Sequence, residues 1–327
     1  MNRKTVPIAV AAAAIAASIA VPVAAAPPTV KAAVIDGTLR ISGSPRADKI
    51  VLRLSALDAN QLQVDVGDDG SADRTFDIST LRAIDVEAGN GNDTVRIDQV
   101  NGAFTTRLAT RIDGGNGDDT LIGGSGVEIF VGGRGDDFVD GNGGADTAFL
   151  GKGDDSFVWD PGDGSDVVEG GSGSDTMVFN GAAGNEIMAA TANGARVSFT
   201  RNLGTIVMDL DGIEVIDVRA LGGSDTVTVN DVGGTDLKRV NVDLAATIGG
   251  STADGQADTV TVAATKGDDS IAVDANGAGV DVSGLAAFVR ITHADPTIDK
   301  LIVDTVAGAD DVSLDPALAA LILVSVL

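Results

Sequence analysis

The chain has 327 residues, with 48 Asp and Glu against 22 Lys and Arg for a formal net charge of −26, 43 glycines, 3% aromatic residues and no cysteine. That charge excludes nucleic acid and anionic lipid surfaces as electrostatic partners, and the missing cysteine excludes disulfide staples. Glycine and acid in such excess leave a chain that stays expanded unless counter-ions neutralise it.

Residues 1–25 read as a signal peptide. Arg3 and Lys4 precede an apolar Ala/Ile/Val run, and Val23-Ala24-Ala25 offers small residues for cleavage. No other stretch is long and apolar enough to span a bilayer, so the mature chain is expected outside the cell, secreted or on its surface, with no membrane span.

Residues 34–112 form a first β-repeat segment. VIDGTLRISGS (34–44), KIVLRL (49–54), QLQVDV (61–66) and IDVEAGNGNDTVRI (84–97) alternate or cluster β-formers between turn signals, and no helical period competes. Gly67-Asp68-Asp69-Gly70 reads as a hairpin loop, while Asp48 and Gly91-Asn92-Asp93 echo, singly, the turn described next.

From Gly114 the chain becomes a run of glycine-rich nonapeptides: GGNGDDTLI, GGSGVEIFV, GGRGDDFVD, GNGGADTAF and LGKGDDSFV without a gap, then Trp159 and Asp160, then PGDGSDVVE and GGSGSDTMV. The sixth position is acidic throughout (Asp119, Glu128, Asp137, Asp146, Asp155, Asp166, Asp175), and the eighth is apolar (Leu121, Phe130, Val139, Ala148, Phe157, Val168, Met177). Glycines permit the positive φ and close backbone approach of a tight turn. The three residues that end each unit supply a short strand with one side chain pointing inward. Three residues cannot form a core alone, so two units per coil, stacked coil on coil, must bury the eighth positions together. Stacked strands lie about 4.8 Å apart, so acids and carbonyls of successive turns can share one hard cation.

With that spacing, residues 113–179 resemble the hemolysin-type calcium-binding repeat (RTX) family, whose pattern is GGxGxDxUx with U a large apolar residue. The resemblance implies an all-β, right-handed parallel β-roll with several calcium ions between turns. It also implies ligands from Asp119, Glu128, Asp137, Asp146, Asp155, Asp166 and Asp175, completed by carbonyls such as those of Gly115, Gly117, Gly133 and Gly135. Two nonapeptides per coil pair Asp119 with Asp137, Asp137 with Asp155 and Glu128 with Asp146. The pairs Asp146 with Asp166 and Asp155 with Asp175 cross the insertion. Roughly five ions would then be sandwiched, each with the usual 6–8 oxygens. Departures from the pattern are Glu128 for Asp, Asn142 for the second glycine, Leu150 and Pro161 for the first, and the insertion itself, which is expected to widen or break the ladder.

Residues 180–327 return to plainer β units of solenoid or sandwich-like character. FDISTLRAIDVEAGNGNDTVRIDQVNG (76–102) aligns without gaps on MDLDGIEVIDVRALGGSDTVTVNDVGG (208–234), with echoes at 256–262, 266–273 and 301–314. Asp225, Asp258, Asp268 and Asp310 read as turn formers, and the apolar tail 321–327 as the last rung of a solenoid. Residues 154–314 as a whole resemble a longer module of large bacterial calcium-binding proteins of the same family.

No HExxH pair, GxSxG elbow, P-loop or cysteine nucleophile occurs, and His293 is the sole histidine. The chain is therefore expected to be no enzyme but an exported calcium-binding protein, structural, surface-bound or adhesive, with its protein or carbohydrate partner unspecified. The alternatives are the secretion and folding module of a larger RTX enzyme or toxin, and a calcium-gated binding module.

Overall fold

The computed structural model describes residues 29–327, and the expected signal peptide lies outside them. Every regular element described is a β-strand or a short 3-10 turn. The strands form two 14-stranded sheets that face one another.

Within the array the chain passes alternately from one sheet to the other, nine residues at a time. Thr120–Ile122, Phe138–Asp140, Ser156–Trp159 and Thr176–Asn180 stack in parallel in one sheet. Ala109–Asn116, Glu128–Arg134, Thr147–Lys152 and Val167–Ser172 stack in the other. This is the all-β parallel roll that the nonapeptides imply.

The eighth positions form two facing columns rather than one. Leu121, Val139, Phe157 and Met177 point inward from one sheet, and Ile112, Phe130, Ala148 and Val168 from the other, all with no solvent exposure. Alternation along a strand explains it, since each half-coil contributes one inward residue to its own sheet.

The sheets run on without a break through residues 112–113 and 179–180, so the array is a stretch of one solenoid. Outside it the coils lengthen by antiparallel excursions. Lys49–Leu54, Gln61–Val66 and Arg74–Asp77 make one, whose second turn holds the hairpin loop at Gly67–Gly70. Ile187–Asn193, Arg196–Arg201 and Ile206–Asp211 make a second, and Ser270–Asn276, Gly279–Ser283 and Phe288–Thr292 a third. The first excursion carries the buried ion pair Arg53–Asp65 at 2.8 Å. The tail strand Leu323–Val326 pairs in parallel with Lys300–Asp304 as an edge rung.

The insertion at Trp159 and Asp160 does not break the ladder. Trp159 is the inward end of its strand, fully buried and stacked on Phe179 at 4.1 Å and 1°, with the Arg201 guanidinium 5.1 Å from its ring centroid. The extra residues are taken up in the turn from Asp160 to Asp166, where the Trp159 indole N–H donates to the Gly164 carbonyl at 2.8 Å.

Candidate metal centre

The sixth-position acids stand at the two edges where the chain crosses between the sheets. On one edge the backbone N–H of each acid donates to a carboxylate oxygen of the next coil's acid: Asp93 to Asp119 at 2.7 Å, Asp119 to Asp137 at 2.8 Å, Asp137 to Asp155 at 2.7 Å and Asp155 to Asp175 at 2.9 Å. On the other edge Glu128 donates to Asp146 at 2.7 Å and Asp146 to Asp166 at 2.8 Å. The relay spans 18 residues within the contiguous units and 20 across the insertion, so the structure brings together all five carboxylate pairs expected from the spacing. Glu128 is in register despite its longer side chain, with Oε2 accepting from the Gly124 N–H at 3.0 Å.

Each relay uses only one oxygen per carboxylate. The second oxygen of Asp93, Asp119, Asp137, Asp146, Asp155 and Asp175, and Oε1 of Glu128, is buried with no hydrogen-bond partner. An unpaired buried carboxylate oxygen is costly, and the protein responds by favouring the neutral acid. Burial pushes Asp119, Asp166 and Asp175 up to about 6, Asp93 and Asp137 up to about 7 and Asp146 up to about 9, with Glu128 and Asp155 also raised. Repulsion from the acids of adjoining coils adds to most of these shifts.

The glycines shape the space around these oxygens. A Cβ on Gly132, Gly141 or Gly170 would lie 2.6, 2.5 or 2.7 Å from the unpaired oxygen of Asp137, Asp146 or Asp175, and one on Gly114 would press closer still on Asp119. The first glycine of the unit, which the spacing argument left without a role, therefore keeps the carboxylate's open side clear. Gly115, Gly117, Gly133 and Gly135 all adopt positive φ between 107° and 123°, and the Gly115 and Gly117 carbonyls point along the stack at Gly133 and Gly135. Among the described residues no three acidic or histidine side chains converge on one point. A cation here must therefore draw its shell from one or two carboxylates per site plus turn carbonyls.

The donor set fits calcium: all oxygen, anionic, multidentate and set in turns with glycine freedom. Bound there, calcium would supply the positive charge that the buried oxygens lack.

The column runs beyond the nonapeptides, through Asp48 and Asp93, which the sequence showed only as single echoes of the turn, and Glu214, which sequence reasoning missed. Asp48 and Glu214 extend the first edge at its two ends, the Asp48 N–H donating to Asp93 at 2.7 Å and the Asp175 N–H to Glu214 at 2.8 Å. Asp93 was visible as an isolated echo in Gly-Asn-Gly-Asn-Asp, and the in-register pairing of Gly89 with Gly115 makes it a full rung. Glu214 follows Asp211-Gly212-Ile213, which carries no nonapeptide signal.

Fold and acid ladder together define a class, the calcium-binding repeat proteins built as parallel β-rolls. The family model for the RTX calcium-binding nonapeptide repeat matches four copies in this chain, over residues 111–127, 122–157 and 162–177. The chain thus carries RTX calcium-binding repeats, and the matched stretches coincide with the seven nonapeptides. No curated protein matches the chain. No helix among the described residues is long and apolar enough to cross a membrane.

Proposed function

We propose that this is an exported, non-enzymatic protein whose solenoid is hardened by calcium outside the cell, serving a structural, surface or adhesive role. One observation carries the reading: buried carboxylate oxygens stacked along both edges of the roll, as at Asp119, Asp137 and Asp155 on one and Glu128 and Asp146 on the other, with no hydrogen-bond partner. Extracellular calcium modules typically bind at about 10⁻⁴ to 10⁻³ M, so the chain stays loose where calcium is scarce and sets where it is abundant. Ligands are assigned to Asp119, Glu128, Asp137, Asp146, Asp155, Asp166 and Asp175 with carbonyls of Gly115, Gly117, Gly133 and Gly135, for roughly five ions at the usual 6–8 oxygens each. Export by residues 1–25 accords with the lack of cysteine and with the acidic balance. A net charge of −26 weighs against nucleic acid as a partner.

The test is a calcium titration of the full chain, followed by circular dichroism, Trp159 fluorescence and calorimetric stoichiometry. Asp137→Asn is expected to lower the stoichiometry, since its carboxylate adjoins two pairs. A chain whose spectra ignore calcium, or a variant that binds as many ions as wild type, would overturn the reading.

A further inference from the structure

Beyond the array the acid relay begins again on the opposite side of the second excursion. The Glu186 N–H donates to Asp225 at 2.8 Å, the Asp225 N–H to Asp258 at 2.8 Å and the Asp258 N–H to Asp299 at 2.9 Å. These acids are separated by 39, 33 and 41 residues and lie outside the family match. Their turns nevertheless copy the array's construction. Gly223 stands two residues before Asp225, as Gly117 stands before Asp119, and its Cβ would lie 2.7 Å from the Gly184 carbonyl beneath it. The Ser224 N–H donates to the Asn185 side chain at 2.9 Å, as the Asp136 N–H does to Asp118 at 3.0 Å. Leu221, four residues before Asp225, takes φ 68° in the left-handed region where Gly115 has φ 107°. A branched apolar residue enters that region only under strain, so this turn keeps the array's positive φ against its own sequence.

The rungs differ in how their charge is met. Glu186 is fully buried, but its carboxylate is paired with the Arg201 guanidinium and also accepts from the Ala182 N–H at 2.8 Å. Asp299 closes both oxygens on backbone N–H groups, those of Asp258 and Asp295. Asp225 has no such answer. It is 2% exposed, and its Oδ2 is buried without a partner. Asp258, 3% exposed, is the next rung, and Asp254 caps the same turn through the Gly223 N–H at 3.0 Å. No basic side chain pairs with Asp225, Asp254 or Asp258 among the described residues. Burial, together with repulsion from Asp258, Glu186 and Asp254, pushes Asp225 up to about 7, and Asp258 rises likewise to about 7.

We infer that the turn 220–226 is a separate calcium-class cation site, held by the Asp225 carboxylate with Asp258 of the next coil and turn carbonyls, while Arg201 takes the place of an ion at the Glu186 rung. The inference rests on the calcium reading of the array, and extends it to a segment that has no nonapeptide.

Calcium chloride titrated into the full chain tests it, with calorimetric stoichiometry and amide hydrogen exchange resolved by segment. Asp225→Asn keeps an acceptor for the Glu186 N–H and removes the charge. It should bind one ion fewer than wild type and lose calcium-dependent slowing of exchange at 220–226, with slowing in the array turns intact. Asp137→Asn should do the reverse. If Asp225→Asn keeps the wild-type stoichiometry and protection, this site is refuted while the array stands. If Asp137→Asn leaves calcium binding in the array unchanged, the array reading itself fails. Should Asp225→Asn not fold, wild type decides alone: equal exchange at 220–226 with and without calcium overturns the inference.

Discussion

A single carboxylate in this roll is asked to do two opposed things. Its first oxygen is fixed by a backbone N–H that favours the charged form, while its second is buried against glycine with nothing to meet the charge. Burial wins in the metal-free chain, which is why Asp137 is raised to about 7 and Asp146 to about 9, against about 3.9 for an unfolded Asp. The sign of the pH dependence follows. Without metal, these acids favour the fold below about pH 4 and weaken it progressively as pH rises through about 7, so in chelator the urea midpoint should be higher at about pH 5 than at about pH 8. With calcium the order inverts, because protons compete for the same oxygens, and calcium affinity should fall on acidification. A chelated chain that is less stable at the lower pH would contradict the ladder. Glycine matters at the same scale. A Cβ on Gly132 would meet the open oxygen of Asp137 at 2.6 Å, so Gly132→Ala should cost about 1–3 kcal/mol and weaken calcium binding. Gly267→Ala meets only Thr265 Oγ1 at 3.5 Å and should stay within about 0.5 kcal/mol; denaturant melts of the two in calcium compare them directly.

At the scale of the half-coil, the inward column does the packing and the turn does the binding, and the two are separable by mutation. Phe130 is fully buried between Ile112 and Ala148 of the adjoining coils, so Phe130→Ala should cost about 3–5 kcal/mol. Phe149 is 46% exposed on the outer face, and its replacement by Ala should change the urea midpoint far less, with ion stoichiometry unchanged. This scale also shows what was legible beforehand. Acid at position six and apolar residue at position eight recur every nine residues, and that arithmetic gives the strands, the inward residues and the five acid pairs. The two facing columns were hidden because successive units look alike while lying in different sheets. The same ambiguity touches the long repeat: Asp93 and Asp225 are aligned, yet Asp93 leads into the sheet of Thr94–Asp98 and Asp225 into the other. The sequence copies are half a coil out of phase. Beyond the array the relay keeps its place in space while its spacing changes to 26, 33, 39 or 41 residues, because antiparallel excursions and long turns lengthen individual coils. A fixed-period search cannot see it, so Glu214, Glu186 and Asp299 emerge only in three dimensions.

Across the whole solenoid the means of neutralising buried acid are unevenly distributed, and this sets the order in which it should come apart. A stack of this kind is stabilised by each coil's own interactions plus those with its neighbours, so local losses stay local until the neighbouring interfaces give way. In the array Asp119, Glu128, Asp137, Asp146, Asp155 and Asp175 each leave a buried carboxylate oxygen unmet. The flanking excursions instead carry internal cations, Arg53 on Asp65 at 2.8 Å and Arg201 on Glu186. The flanking segments also carry aliphatic columns such as Val240, Val289 and Ile291 that are buried without any ion. Chelation should therefore loosen residues 113–179 first. Ion binding stabilises a site by about 2.7 kcal/mol at a hundredfold excess over Kd, so removing several ions withdraws several such increments from the array and none from the flanks that hold no ion. Each acid's N–H is anchored on the next coil's carboxylate, so loosening should spread along the ladder from rung to rung. Amide exchange in excess chelator is expected to rise in the array while the antiparallel strands Lys49–Leu54 with Gln61–Val66, and Ser270–Asn276 with Gly279–Ser283, stay protected. Trp159, packed on Phe179 at the end of the array, should red-shift in the same calcium range. Uniform exchange along the whole chain, or loss of the flanks before the array, would show that calcium is not what holds these coils together.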